Sequence, residues 1–180
     1  MNANVIATAP PRVRFTLDGA LWALQIVWGF FFAGSGFGKV LLYDTTLYAA
    51  APQSVAWYAA VPQPLIVVIG VAEVLGGIGL FLPALTRVKP WLTQVSAAGL
   101  ALTMVLAAGF HLVRDEWMLV PVNLVLAAVA VFIAVGRSNR RPIASAPLTT
   151  RRVLTAAAVL ALMTLTMIIP TWYRMTQGQF

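Results

Sequence analysis

Glu73, His111 and Asn123 each interrupt a different apolar segment, and Lys39 lies near the end of a fourth. A carboxylate, an imidazole and an amine can hold and pass protons, and a carboxamide can donate and accept hydrogen bonds. Ionisable groups are costly at membrane depth, so those that persist there usually face a bundle interior and mark a site or a relay. Their helical neighbours, three, four and seven residues away, share their faces. Lys39 lies beside Ser35 and Gly36, with Phe32 a turn below Ser35; Glu73 lies between Gly70 and Gly77; His111 shares a face with Ala107 and Ala108, and Asn123 with Ala127 and Ala130. Small residues let membrane helices approach closely, which predicts that all four polar side chains point into a bundle.

Each residue also has a plainer role. Lys39, near a helix end, can snorkel to the headgroups. His111 can be a solvated rim residue. Asn123 can hydrogen-bond a neighbouring helix. Glu73 has the fewest alternatives, because a deep, unpaired carboxylate is expensive: it must be protonated, paired with Lys39 or His111, or hydrated.

The elements that position these residues follow from composition. The chain is 61% apolar and 9% charged with a mean hydropathy of +0.87, far from the soluble average of about 25% charged residues. Apolar runs at 20–42, 65–82, 91–113, 118–136 and 153–169 approach or exceed the roughly 17 to 25 residues that cross a bilayer. The expected fold is all-α and polytopic: an antiparallel four-helix transmembrane bundle over residues 1–137, a basic linker at 138–152, and a fifth C-terminal transmembrane helix and tail at 153–180, the helix closed by Pro170. At about 1.5 Å per residue, the α-carbons of Lys39, Glu73, His111 and Asn123 lie roughly 5, 12, 3 and 8 Å below one surface, a funnel with Glu73 as its floor. Arg114, Asp115 and Glu116 could gate its mouth.

Orientation follows from the cations, since short cytoplasmic loops carry the Lys/Arg excess. Arg12, Arg14, Arg87, Lys89, Arg137, Arg140, Arg141, Arg151 and Arg152 fall on one side, Arg114 and Arg174 on the other. The expected topology is a multi-pass protein of the bacterial cytoplasmic membrane with the amino terminus inside and Phe180 outside. The net charge of +7 is then an insertion signal, helped by anionic lipids, and not a nucleic-acid footprint. Tyr43, Tyr48, Trp57, Tyr58, Trp172 and Tyr173 would form an aromatic belt at the outer interface, and residues 53–60, between Pro52 and Pro62, read as a short surface helix. The first sixteen residues lack a signal-like apolar stretch, so the first span should be retained. Cysteine is absent, which excludes disulfides, thiolate metal sites and covalent haem attachment; no metal site is expected.

Three stretches make the chain familiar. Phe31-Phe32-Ala33-Gly34-Ser35-Gly36-Phe37-Gly38-Lys39, then Gly70-Val71-Ala72-Glu73-Val74-Leu75-Gly76-Gly77 with Gly79-Leu80 and Leu82-Pro83, and His111 closing the third span resemble the DoxX family of small bacterial membrane proteins over residues 20 to 137. The resemblance points to Lys39, Glu73 and His111, and implies kinship with the membrane subunit of thiosulfate:quinone oxidoreductase or with oxidative-stress complexes. The fifth span and its linker extend the usual four-helix pattern.

Three roles follow. In the first, the chain is a quinone-linked redox accessory or membrane anchor for a soluble or membrane redox subunit, with no covalent cofactor; Lys39, Asn123 or His111 donates to a quinone carbonyl and Glu73 moves protons. Whether such a chain is itself an enzyme stays open. In the second it is a small-solute transporter, with Gln25, Thr93 and Gln94 as a thin inner pathway. In the third it is a scaffold whose polar cluster fixes helix register, and a homo-oligomer is compatible with each.

Overall fold

The computed structural model describes residues 16–41 and 53–177, apart from the side chains of 53–56 and 175. Arg12, Arg14, Leu42, Tyr43, Tyr48 and Pro52, and residues 178–180 at the end of the tail, lie outside the described residues. Every regular element described is helical: α1 (Leu17–Leu41), α2 (Gln63–Thr86), α3 (Trp91–Val113), α4 (Leu119–Val135) and α5 (Thr150–Met163), with α6 (Ile169–Thr176) continuing the line of α5. A 3-10 segment spans Gln53–Ala60, on the stretch expected to form a short surface helix, and π-helical turns occupy Gly136–Arg140 and Thr164–Ile168. Five helices, counting Thr150–Arg174 as one, are long and apolar enough to cross a membrane.

Local chemistry explains the helix ends. Pro62 and Pro64 open α2, where the missing amide protons have no intrahelical partners to lose. Arg87 caps its end in the left-handed conformation (φ 59°, ψ 17°), a position glycine usually takes. The connections at 87–90 and 114–118 are too short for anything but antiparallel neighbours.

The most extensive packing joins α1 to α2 and α3 to α4, α2 touches α3 less extensively, and α1 meets α4 only lightly. Phe32, Leu80, Leu100, Met104, Ala130 and Ile133 form the core between the four helices. The fifth span lies on the outside: its Met163 packs with Ala33 and Phe81 of α1 and α2, and Met167 covers Gly34.

Pro170 does not end that span, contrary to the sequence expectation. The helix runs through it to Thr176, because the π turn at Thr164–Ile168 loosens the hydrogen-bond ladder immediately ahead of the ring. Pro83 is likewise tolerated inside α2.

Glycine sets the spacing of α1 and α2. A β-carbon on Gly77 would lie 2.6 Å from the backbone oxygen of Gly29, and one on Gly70 2.7 Å from that of Gly36. The two backbones therefore touch at two levels, and the residues between these contacts face the other helix by necessity.

Candidate functional site

Lys39 and Glu73 occupy the upper of these two crossings. Nζ of Lys39 donates to Oε2 of Glu73 at 2.6 Å and to Oγ of Ser35 at 2.7 Å, while Ser35 Oγ donates to the same carboxylate oxygen at 3.1 Å. Both charged side chains are almost fully buried, at 7% and 4% exposure. The amine reaches back along its own helix, over Ser35 one turn earlier, as the tilt of helical side chains favours. It does not snorkel away from the bundle, because Glu73 offers a carboxylate in a medium where both charges are costly alone.

The arrangement follows from the chain's spacing. Ser35 and Lys39 are four residues apart and share a face. Gly36, between them, leaves room for the Glu73 stem, and Gly70 leaves room for that of Lys39: added β-carbons there would lie 2.8 Å from Glu73 Cβ and 2.9 Å from Lys39 Cβ. Two opposite charges are thus joined across a contact that only glycines permit.

His111 is buried near the end of α3, at 4% exposure. Its Nδ1 donates to Glu116 Oε2 at 2.5 Å, and its ring meets Trp57 edge-on at 5.6 Å. Glu116 also accepts from Nε of Arg114 at 2.9 Å. The hydrogen bond from His111, reinforced by Arg114, holds the Glu116 carboxyl below the usual carboxylate range, with partial burial opposing it. The loop can do this because Asp115 adopts φ 59° and the backbone N–H of Glu116 donates to the His111 carbonyl at 3.0 Å. His111 is therefore a capped, roofed imidazole and not a solvated rim residue. Trp57 of the 3-10 segment lies over this end of α3, and the buried Tyr58 packs edge-on against Trp57.

Asn123 is half-buried and spends its amide within its own helix, donating to the Leu119 carbonyl at 2.8 Å. The four polar residues thus separate into a Lys39–Ser35–Glu73 cluster, a His111–Glu116–Arg114 cluster, and Asn123 bonded to its own turn.

A third cluster at the opposite end went unread in the sequence. Arg137, only 1% exposed, donates from Nε to Gln25 Oε1 at 2.6 Å and from Nη1 to Asp18 Oδ1 at 2.5 Å. Its guanidinium lies 5.0 Å from the Trp22 ring centre. Gln25 passes its other amide function to the Leu80 carbonyl at 2.6 Å, and Gln94 donates to the Arg137 carbonyl at 3.0 Å. By position alone Arg137 is the first cation of a loop. The π turn at Gly136–Arg140 instead carries it along the helix end, and Gly136 lets Leu21 close over the backbone. Two members of the supposed inner pathway, Gln25 and Gln94, are committed to these bonds. The one available signal was Asp18, the lone acid at that end of the sequence.

Among the described residues no group of three or more His, Cys, Asp or Glu side chains could hold a metal ion. A family model described as the DoxX-like family matches residues 23–133, well over half of the chain. Comparison with the curated proteins gives no match, and neither does comparison with the solved structures.

Proposed function

We propose, from the premise that the chain belongs to the DoxX-like family, that it is a quinone-linked redox accessory or membrane-anchor subunit. The observation that carries this role is the buried amine–hydroxyl–carboxylate cluster of Lys39, Ser35 and Glu73 in an otherwise apolar bundle. Its donor set fits a quinone carbonyl. Two of the three Lys39 N–H groups are engaged by Ser35 and Glu73, and the third, with no partner among the described residues, could serve a ligand oxygen. A quinone would supply the redox chemistry when bound. Lys39 would hold its carbonyl, Glu73 would accept or return a proton, and the apolar helices would exclude water. On the positive-inside argument this cluster faces the outer half of the bacterial cytoplasmic membrane, where a redox partner subunit would dock.

A thermal-shift titration of the purified protein with quinones of increasing tail length, beside Glu73→Gln, tests this role. Saturable stabilisation of the wild type, lost in the variant, is the expected outcome. Absence of any shift would defeat it.

One observation favours a second role. Glycines clamp both charged stems, Gly36 against Glu73 and Gly70 against Lys39, as a device that fixes the register of α1 on α2 would require. In that case the chain is a scaffold, and variants at the pair lose a co-purifying partner and gain no quinone-dependent phenotype.

A further inference from the structure

We propose that the cavity where α1, α2 and α5 meet, at the arginine-rich end, binds a phosphate-bearing anion, the headgroup of an anionic lipid being its occupant. This site is separate from the Lys39–Glu73 cluster and stands whether or not a quinone binds there.

The cavity is an open cleft of about 400 Å³. Arg87, at the end of α2, and Arg151 and Arg152, in the first turn of α5, supply three cations to its lining. Thr149 and Thr155 add hydroxyls, and Trp22 and Leu85 add apolar wall. The linker holds the two basic elements together: the backbone N–H of Ala146 donates to the Arg87 carbonyl at 3.2 Å, and Arg152 donates from Nη1 to the Pro147 carbonyl.

Among the described residues no carboxylate neutralises these cations. The chain has five acidic residues. Glu73, Asp115 and Glu116 lie in the other half of the bundle or beyond it, and Asp44 lies outside the described residues. Asp18 is the one acid at the basic end, and it is bound to Arg137. Arg87, Arg151 and Arg152 have no carboxylate partner among the described residues.

Placement makes the imbalance more pointed. Helix first turns favour acidic residues, because unbonded amides and the macrodipole make that end positive. The first turn of α5 has no acid and two arginines. Thr149 caps the Arg152 amide, and an external anion there would meet the positive end of the helix and the guanidinium groups together. Arg87 adds its charge from a left-handed backbone position. The cavity lies between the end of α2 at Thr86 and the start of α5 at Thr150, the helix ends that the span lengths and the cation distribution put at the level of lipid phosphates. Basic pockets between transmembrane helices at the cytoplasmic side suit such headgroups. Trp22 and Leu85 can lie along the glycerol and upper acyl chain.

The test uses the full chain in a neutral detergent. Its melting temperature is followed while phosphatidylglycerol or phosphatidylcholine is added as mixed micelles, and in a separate arm with glycerol phosphate alone. Arg87→Gln/Arg151→Gln is compared with Arg140→Gln/Arg141→Gln, which removes the same charge from residues that do not line the cavity. The expected result is a saturable rise with phosphatidylglycerol and not with phosphatidylcholine, lost in the first double variant and kept in the second. Arg151→Gln alone, at an exposed position, should weaken the apparent affinity about tenfold or more, and it serves should the double variant fail to fold. A rise with glycerol phosphate as large as that with the lipid keeps the site and makes a soluble phosphate its occupant. No rise with either anion, or equal loss in both double variants, would overturn the proposal.

Discussion

Glu73 of α2 rests on Gly36 of α1 so closely that a β-carbon on that glycine would sit 2.8 Å from the β-carbon of Glu73. The relationship is reciprocal, since Lys39 rests on Gly70 in the same way, at 2.9 Å. The buried ion pair and the glycine contact are therefore one feature, and separate substitutions can divide it.

Removing one charge should cost more than removing both. Lys39→Met or Glu73→Leu alone strands the other charge in the bundle, at about 3–5 kcal/mol. The double variant, which leaves no orphan, should melt above either single variant. Thermal melts of the four proteins in one detergent decide the matter; additive losses would mean that the two charges do not depend on each other.

Glycine-to-alanine substitutions should divide by position. Gly36→Ala and Gly70→Ala force a methyl group into the facing backbone, overpacking worth about 1–3 kcal/mol. Gly99→Ala and Gly109→Ala, with nothing within 4 Å of the added carbon, should be neutral or gain up to ~1 kcal/mol from helix propensity. Equal losses at all four sites would remove close approach of α1 and α2 as the reason.

At the opposite end, Arg137→Lys should fail to rescue what Arg137→Gln loses. Nε and Nη1 of the guanidinium serve Gln25 and Asp18 at once, a fork that a lysine ammonium does not reproduce. Both variants should fall well below wild type in melting temperature, with Asp18→Asn intermediate because Asp18 is half exposed. A lysine variant as stable as wild type would show that charge alone is needed there.

Acid should loosen the roof over His111. The fold holds the Glu116 carboxyl below its ordinary value through the His111 hydrogen bond, so folding favours the ionised form. That contribution is complete above the unfolded carboxylate range and is lost as pH falls through the lowered folded value. Melts taken from about pH 7 down to about pH 3 should show an acid-side loss that is smaller in Glu116→Gln. Identical profiles would mean the contact adds nothing to the fold.

Apolar length, read from the sequence, already marked five helices long and apolar enough to cross a membrane, because runs of that length match the thickness of the hydrocarbon layer. The small residues around Glu73 likewise marked an inward face from sequence, since spacing on one helix is a local property. Tertiary structure decided the partners. Glu73 takes Lys39, 34 residues away, while His111 takes Glu116 from the loop that follows it. The first choice depends on the rotation and vertical offset of whole helices, which no local pattern encodes, and the second on the left-handed turn at Asp115. Arg137 shows the limit most plainly. Its position after an apolar run reads as a loop cation, yet its partners Gln25 and Asp18 lie 112 and 119 residues earlier. Only the packing of α4's π-helical extension on the start of α1 could turn that charge inward, where hydrogen bonds to Gln25, Asp18 and the Arg141 carbonyl offset the desolvation that a lone arginine would suffer.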